Sequence, residues 1–203
     1  MLKMKNVFIS IVTILILVSG FALAQVASNQ AAPDFTLTDS NGQKHSLSDY
    51  KSKFVVLEWF NPDCPFVKKH YNSGNMPKLQ KEYTARGVIW LSINSSASGK
   101  QGSYAPQGFN DYMKAKGASP TAVLLDTDGK VGHLYDAKTT PHMFIIDPHG
   151  ILIYQGAIDD TPGTDIADLK TAKNYVSAAL DAAMNGKPVA VSTTNSYGCS
   201  VKY

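Results

Sequence analysis

The sequence is nearly without arginine: Arg86 is the single one among its 19 basic residues. A phosphate- or nucleic-acid-reading surface normally draws on several guanidinium groups, so that class is set aside. Cysteine is equally scarce, with only Cys64 and Cys199. The positions three before and three after Cys64 hold Asn61 and Val67, so no local dithiol can close. The apolar run from Val7 to about Val18 is shorter than a membrane span requires. No internal repeat is present. Excess charge is also missing. The formal charge of +3 falls to +1 without Lys3 and Lys5, which calls for neither an acidic membrane surface nor nucleic acid.

What the N-terminus does contain is the pattern of an export signal. Lys3 and Lys5 precede the apolar run, Gly20 follows it, and Ala22-Leu23-Ala24 places small residues where a signal peptidase needs them. Residues 1–24 are read as a signal peptide cleaved before Gln25, with an uncleaved anchor as the alternative. After cleavage no stable membrane insertion is expected. The expected location is the periplasm of a Gram-negative-type cell or the exterior, where a disulfide can persist. Residues 25–31 read as a polar tether, 32–186 as one domain, and 187–203 as a tail carrying Cys199.

Along the domain, strand and helix signals alternate. Strands are expected at 33–37, 54–60, 88–93, 122–125, 143–147 and 151–155, with Asn41-Gly42 as a hairpin turn. The nearly all-apolar character of Phe54–Phe60 suits a central strand covered on both faces. Helices are expected from Cys64 to Gly87 with an interruption at 72–75, and over 108–116, 131–136 and 165–185. The last rests on the stripe Ile166, Leu169, Ala172, Val176, Leu180 and Ala183, ended by Gly186. The fold class is α/β, a central mixed sheet with helices on both faces.

Cys64 follows the central strand and opens a helix, with Pro65 at the first helical position. First-turn amides and the helix dipole both favour a thiolate there, so a lowered pKa is expected. Lys68 would assist and Asp63 would oppose. An inert buried thiol is the alternative. Glu58 shares a strand face with Val56 and Phe60. Desolvation there would raise its carboxyl pKa, as a proton shuttle needs, unless it reaches water at the sheet end.

The segment Trp59-Phe60-Asn61-Pro62-Asp63-Cys64 between strand and helix resembles the active site of thioredoxin-like proteins. So does Thr139-Thr140-Pro141-His142 before the strand Met143–Asp147, where Pro141 matches the family's cis-proline. Ala32-Pro33-Asp34-Phe35 and the tail through Gly198-Cys199-Ser200 resemble the redoxin branch, the alkyl hydroperoxide reductase/thiol-specific antioxidant (peroxiredoxin-like) group. The resemblance implies a thioredoxin-like fold and thiol oxidoreductase chemistry of antioxidant type without a cofactor. Its catalytic residues would be Cys64, Cys199 and Glu58. Thr140, Pro141, His142, Asn61 and Pro65 would line a substrate groove. Partners would be protein or small-molecule thiols and disulfides, hydroperoxides, and a reducing thiol protein.

Peroxiredoxins carry a proline and a threonine or serine upstream of the reactive cysteine, where this chain has Leu57 and Asn61, and an arginine over the thiolate. Arg86 falls far along the helix. Disulfide exchange is therefore expected ahead of peroxide reduction. Cys199 on a mobile tail could resolve an oxidised Cys64, staple it permanently, or pair between chains. Two non-enzymatic readings stand beside these. One is a thioredoxin-fold binding module. The other is a copper chaperone of Sco type using Cys64, His70 and His142, against which the absence of a second local cysteine counts.

Overall fold

The computed structural model describes residues 26–203. The signal-peptide reading, with its cleavage before Gln25, lies outside the described residues. Among them no helix is long and apolar enough to cross a membrane.

A hairpin comes first, β1 (Thr36–Asp39) and β2 (Lys44–Ser46), turning through Asn41-Gly42, followed by a 3-10 turn at Leu47–Tyr50. Next come β3 (Val55–Trp59), α1 (Pro65–Asn72), α2 (Asn75–Ala85), β4 (Ile89–Asn94), α3 (Pro106–Lys116), β5 (Ala122–Leu125) and α4 (Lys130–Leu134). The chain ends with β6 (Thr139–Thr140), β7 (His142–Ile146), β8 (Leu152–Gly156), α5 (Tyr175–Met184) and β9 (Cys199–Ser200). The main sheet runs β2-β1-β5-β4-β3-β7-β8. Its centre, β5-β4-β3, is parallel, and β1, β7 and β8 join it antiparallel. This is the expected mixed α/β sheet.

Strand alternation divides the core in two. Val56, Phe60, Trp90, Met143 and Ile145 face α1, α2, α3 and α5, meeting Val67, Tyr71, Met76, Phe109 and Leu180. Val55, Leu57, Trp59, Leu91, Phe144 and Ile146 face the opposite layer. That layer is thinner: Leu47, Val131 of α4, Tyr135 and the N-terminal Val26 and Phe35 cover it. Helices do lie on both faces, but four of the five lie on one.

Three expectations need correction. The helix expected over 165–185 is a 3-10 turn at Ile166–Lys170 and then α5, separated by residues 171–174. Asp165 caps the first through the Ala167 amide, and Asn174 caps the second through the Ser177 amide. Asn174 also bridges to Asp159. These local polar bonds outweigh the apolar stripe, and Ile166 is left 45% exposed. The presumed tether is docked: Val26 is buried, Ala31 bridges Ile151, and Ser28 Oγ donates to the Ser192 carbonyl. The tail is not mobile either. Thr194, Tyr197, Val201 and Tyr203 all bond back to the body, and β9 pairs with β6.

Candidate active site

The site lies where β3 ends and α1 begins. Asn61 shapes the turn: its side-chain oxygen accepts from the Asp63 amide, and its amide nitrogen donates to the Gln101 carbonyl. Asp63 accepts from the Gly102 amide and the Tyr104 hydroxyl. A side chain at Gly102 would collide with Asn61, so the loop at 99–105 packs directly on the turn. Asn61 is thus buried and committed to holding the turn. It does not line a groove, which corrects that expectation.

Cys64 takes the N-cap position of α1, with Pro65 at N1. The Thr140–Pro141 peptide is cis, and the Cys64 thiol donates to the Thr140 carbonyl at 3.1 Å. Cys199 arrives opposite Thr140 in the β6–β9 register, its Sγ 2.8 Å from that of Cys64. Both cysteines are free. Cys64 has one proton and Thr140 O can only accept, so the proton between the two sulfurs comes from Cys199. Glycine is required at 198. Its φ is 134°, and a Cβ there would lie 2.1 Å from the Thr140 carbonyl oxygen.

Burial works against ionising Cys64, but hydrogen bonds from Cys199, Thr140 and the Val67 amide outweigh it and hold the thiol below the ordinary cysteine range. The Thr140 hydroxyl is buried and has no hydrogen-bond partner. A thiolate at Cys64 would offer it an acceptor. Cys199 moves the other way. Burial, then the hydrogen bond to Cys64 and the charge there, push it up to about 11. The pair is therefore polarised, with Cys64 the more acidic thiol. Cys64 is completely covered, whereas Cys199 keeps part of its surface in solvent.

Glu58 is fully buried on the Cys64 side of the sheet. One oxygen accepts from Tyr71, the other from Gln80, Trp90 and Ser92, at 2.8–3.1 Å. Burial raises its carboxyl pKa, and the four hydrogen bonds oppose this without cancelling it. Both oxygens are committed and neither sulfur is among their partners. Direct proton exchange with Cys64 does not follow from this geometry. The carboxyl is a hub joining β3, β4, α1 and α2.

His142 is placed on the far face. Its ring packs 4.4 Å from that of Phe144, it pairs with Trp59 in register, and its Nδ1 accepts from the Lys138 amide. The sheet separates it from Cys64, because strand alternation sends it the opposite way from Met143. It is thereby corrected as a groove residue. Of the remaining expected groove residues, Thr140 meets the Cys64 sulfur through its carbonyl, Pro141 follows it across the cis peptide, and Pro65 follows Cys64 in the chain and is exposed. Cys64, His70 and His142 do not converge as a ligand set. His70 contacts Asn75 through Nδ1 and the Tyr197 hydroxyl through Nε2. Among the described residues no group of three or more ligand-type side chains could hold a metal. Arg86 closes α2, stacked over Tyr83 and paired with Asp181.

Sequence reasoning missed the anchor of the tail. The Tyr197 hydroxyl donates to Asp159 at 2.6 Å and meets His70 at 3.1 Å, and its ring packs beside Phe66 and the buried ammonium of Lys69. Lys69 is held in turn by the Thr161 and Gly163 carbonyls. A buried lysine and histidine on the helix that begins at Cys64 were the available signal. Nothing local said that Tyr197 was their partner.

A thiol at a helix N-terminus, facing a cis-proline loop beside a mixed parallel-centred sheet, defines a thioredoxin-like redox protein. Within that class, residues 28–155 match the AhpC/TSA family, and the chain belongs to it. It is similar to thiol-disulfide oxidoreductase ResA of Bacillus subtilis (strain 168), 29% identical over 163 residues that span 75% of this chain and 86% of that protein. Among solved structures it resembles an uncharacterized conserved protein from Geobacillus kaustophilus, at 28% identity and TM-score 0.77, covering 88% of this chain and 93% of the other. A hypothetical protein from Sinorhizobium meliloti 1021 is similar at 26% identity and TM-score 0.73, covering 89% and 96%.

Proposed function

We propose that this chain is an exported thiol–disulfide oxidoreductase whose reacting pair is Cys64 and Cys199. The observation that carries the reading is the 2.8 Å approach of two free thiols at the start of α1, one acidified and the other not. The Cys64 thiolate attacks a substrate disulfide, forming a mixed disulfide and expelling one thiolate. Cys199 then attacks the Cys64 sulfur. The second substrate thiolate leaves, and a Cys64–Cys199 disulfide remains. Two electrons pass from the pair to the substrate. The Val67 amide and the Thr140 hydroxyl stabilise the thiolate before attack, and Thr140–Pro141 presents the backbone edge beside it. The name of the ResA relative supports this chemistry, and the export-type N-terminus suits a compartment in which such disulfides persist.

Membership of the AhpC/TSA family and the full cover over Cys64 favour a second reading, reduction of a small hydroperoxide. There the thiolate takes one peroxide oxygen, an alcohol or water leaves, and Cys199 condenses with the sulfenic acid and releases water. No arginine stands at the sulfur to polarise the O–O bond, since Arg86 is engaged with Asp181, so disulfide exchange ranks first.

Rates with oxidised glutathione and with hydrogen peroxide, on wild type, Cys64→Ser and Cys199→Ser, test both. Cys64→Ser should lose turnover with either oxidant, and Cys199→Ser should accumulate a glutathione adduct on Cys64. Equal activity of Cys64→Ser and wild type overturns the enzymatic reading. Peroxide turnover at the efficiency of a dedicated peroxidase reverses the order of the two.

A further inference from the structure

On the face of the sheet away from Cys64, a cavity of about 450 Å³ opens beside β6 and the start of β7. That volume lies in the range of small-molecule sites. Val26 and Tyr135 give it an apolar wall, and Asp136, Lys138, His142, Asn195 and Ser196 bring polar groups to it. The chemistry proposed at Cys64 uses none of them.

His142 is the group that marks this cavity. It is 7% exposed, and its ring lies 4.4 Å from that of Phe144. The Lys138 amide donates to Nδ1 at 3.3 Å, so the neutral ring carries its proton on Nε2. Burial pushes the His142 pKa down to about 4, and the ring is neutral near pH 7. Among the described residues nothing accepts from Nε2. The unpartnered side-chain atoms that are sealed from solvent belong to Tyr112, Thr140 and Asp159. Nε2 is not one of them, so its N–H opens into the cavity that the ring lines. The bond to Nδ1 accounts for an acceptor at this position. It gives the Nε2–H no role in the fold.

The remaining groups decide what the N–H would meet. The Asn195 and Ser196 amides find no backbone acceptor among the described residues, which adds uncharged donors to the lining. Lys138 and Asp136 are paired at 3.0 Å. At the His142 ring the charge of Asp136 outweighs the opposing charge of Lys138. Uncharged donors in a slightly negative field favour a neutral acceptor over a carboxylate. We infer that this cavity binds a small uncharged carboxamide, whose carbonyl oxygen accepts from His142 Nε2–H while its apolar body lies against Val26 and Tyr135.

The test uses the full mature chain, isotope-labelled, near pH 7. It is titrated by NMR with benzamide and, in parallel, with benzoate, which has the same shape and a negative charge. The His142 Nε2–H signal and the Asn195 and Ser196 amides should shift and saturate with benzamide, and benzoate should bind about tenfold more weakly or worse. His142→Gln keeps a donor near the place of Nε2, whereas His142→Asn keeps only the counterpart of Nδ1 for the Lys138 amide. Benzamide should therefore still bind His142→Gln and should bind His142→Asn about tenfold or more weakly. Absence of a saturable shift at these three residues in wild type overturns the site, whether or not the variants fold. Benzoate bound as tightly as benzamide overturns the ligand class, and equal affinity in folded His142→Asn and wild type overturns the role of the N–H. None of these outcomes bears on the chemistry at Cys64.

Discussion

Oxidation of the two thiols should raise the stability of the protein by an amount fixed largely by chain length. The bond would join residues 135 apart. In the chain-entropy model a loop of that size removes about 17 cal/mol/K from the unfolded ensemble, or about 5 kcal/mol at room temperature. The native side of the balance adds little strain, because the β6–β9 register already holds Cys199 opposite Thr140 and against Cys64. For a domain of this size about 5 kcal/mol corresponds to a rise of about 10–20 °C in the melting temperature. By linkage, the bond should be about 4,000-fold harder to reduce in the folded protein than in the unfolded chain. Calorimetric melts of the oxidised and the fully reduced protein measure the first quantity, and redox equilibration with glutathione, with and without urea, measures the second. Cys199→Ser should melt at the same temperature under both conditions. Coincident melts of oxidised and reduced wild type would refute the placement of the tail.

Three further outcomes follow from the site. Near pH 4 the raised pKa keeps Glu58 protonated with a single O–H donor, whereas Glu58→Gln brings two N–H donors into a ring of donors, leaving a buried group such as the Tyr71 hydroxyl unmatched, and should cost about 1–3 kcal/mol by urea denaturation. Because folding raises the Glu58 pKa, the stability it contributes is complete below the ordinary glutamate range and is lost as pH rises through the raised value. The gap between wild type and Glu58→Gln should therefore narrow with rising pH, and a gap that widens would refute the assignment. Cys199→Ala removes a donor to the Cys64 sulfur, so thiolate absorbance should titrate at higher pH than in wild type; an unchanged or lower midpoint counts against the polarised pair. Tyr197→Phe deletes the hydroxyl bonded to Asp159 and His70, and should slow closure of the internal disulfide while leaving alkylation of unfolded Cys64 unchanged. Closure at the wild-type rate would show that β9 pairing alone holds the tail.

Much of this architecture was legible in local pattern. β3 reads as buried on both faces because Phe54–Phe60 contains one charged residue among bulky apolar ones, and the break at Asn61-Pro62-Asp63 with Pro65 beyond it marks the start of α1. The interruption between α1 and α2 sits at Ser73-Gly74, where Gly74 takes a φ of 76°. The overlong helix at 165–185 shows the limit of periodicity. Its apolar spacing continues through 171–174, but Asn174 is a cap and Asp159 bridges to it. His142 and Asn61 lie beside reactive residues in sequence. A side chain's destination depends on strand phase and on what packs behind a turn, and adjacency carries neither.

The sequence alone determined the class of chemistry: a lone thiol at a strand-to-helix turn, a matching proline loop, an export-type pattern at the N-terminus, and no local second cysteine. Those signals are local because helix starts, turns and targeting segments are decided within a few residues. Only the tertiary structure decided where Cys199 lies. Its distance from Cys64 is set by the β6–β9 ladder and by Tyr197 reaching Asp159 and His70. The polarisation of the pair comes chiefly from the hydrogen bonds that Cys199 and Thr140 give to Cys64, against the opposing effect of its burial, and from the burial of Cys199. Each of these joins residues far apart in the chain or depends on exclusion of water, and neither property is written in any short stretch of residues.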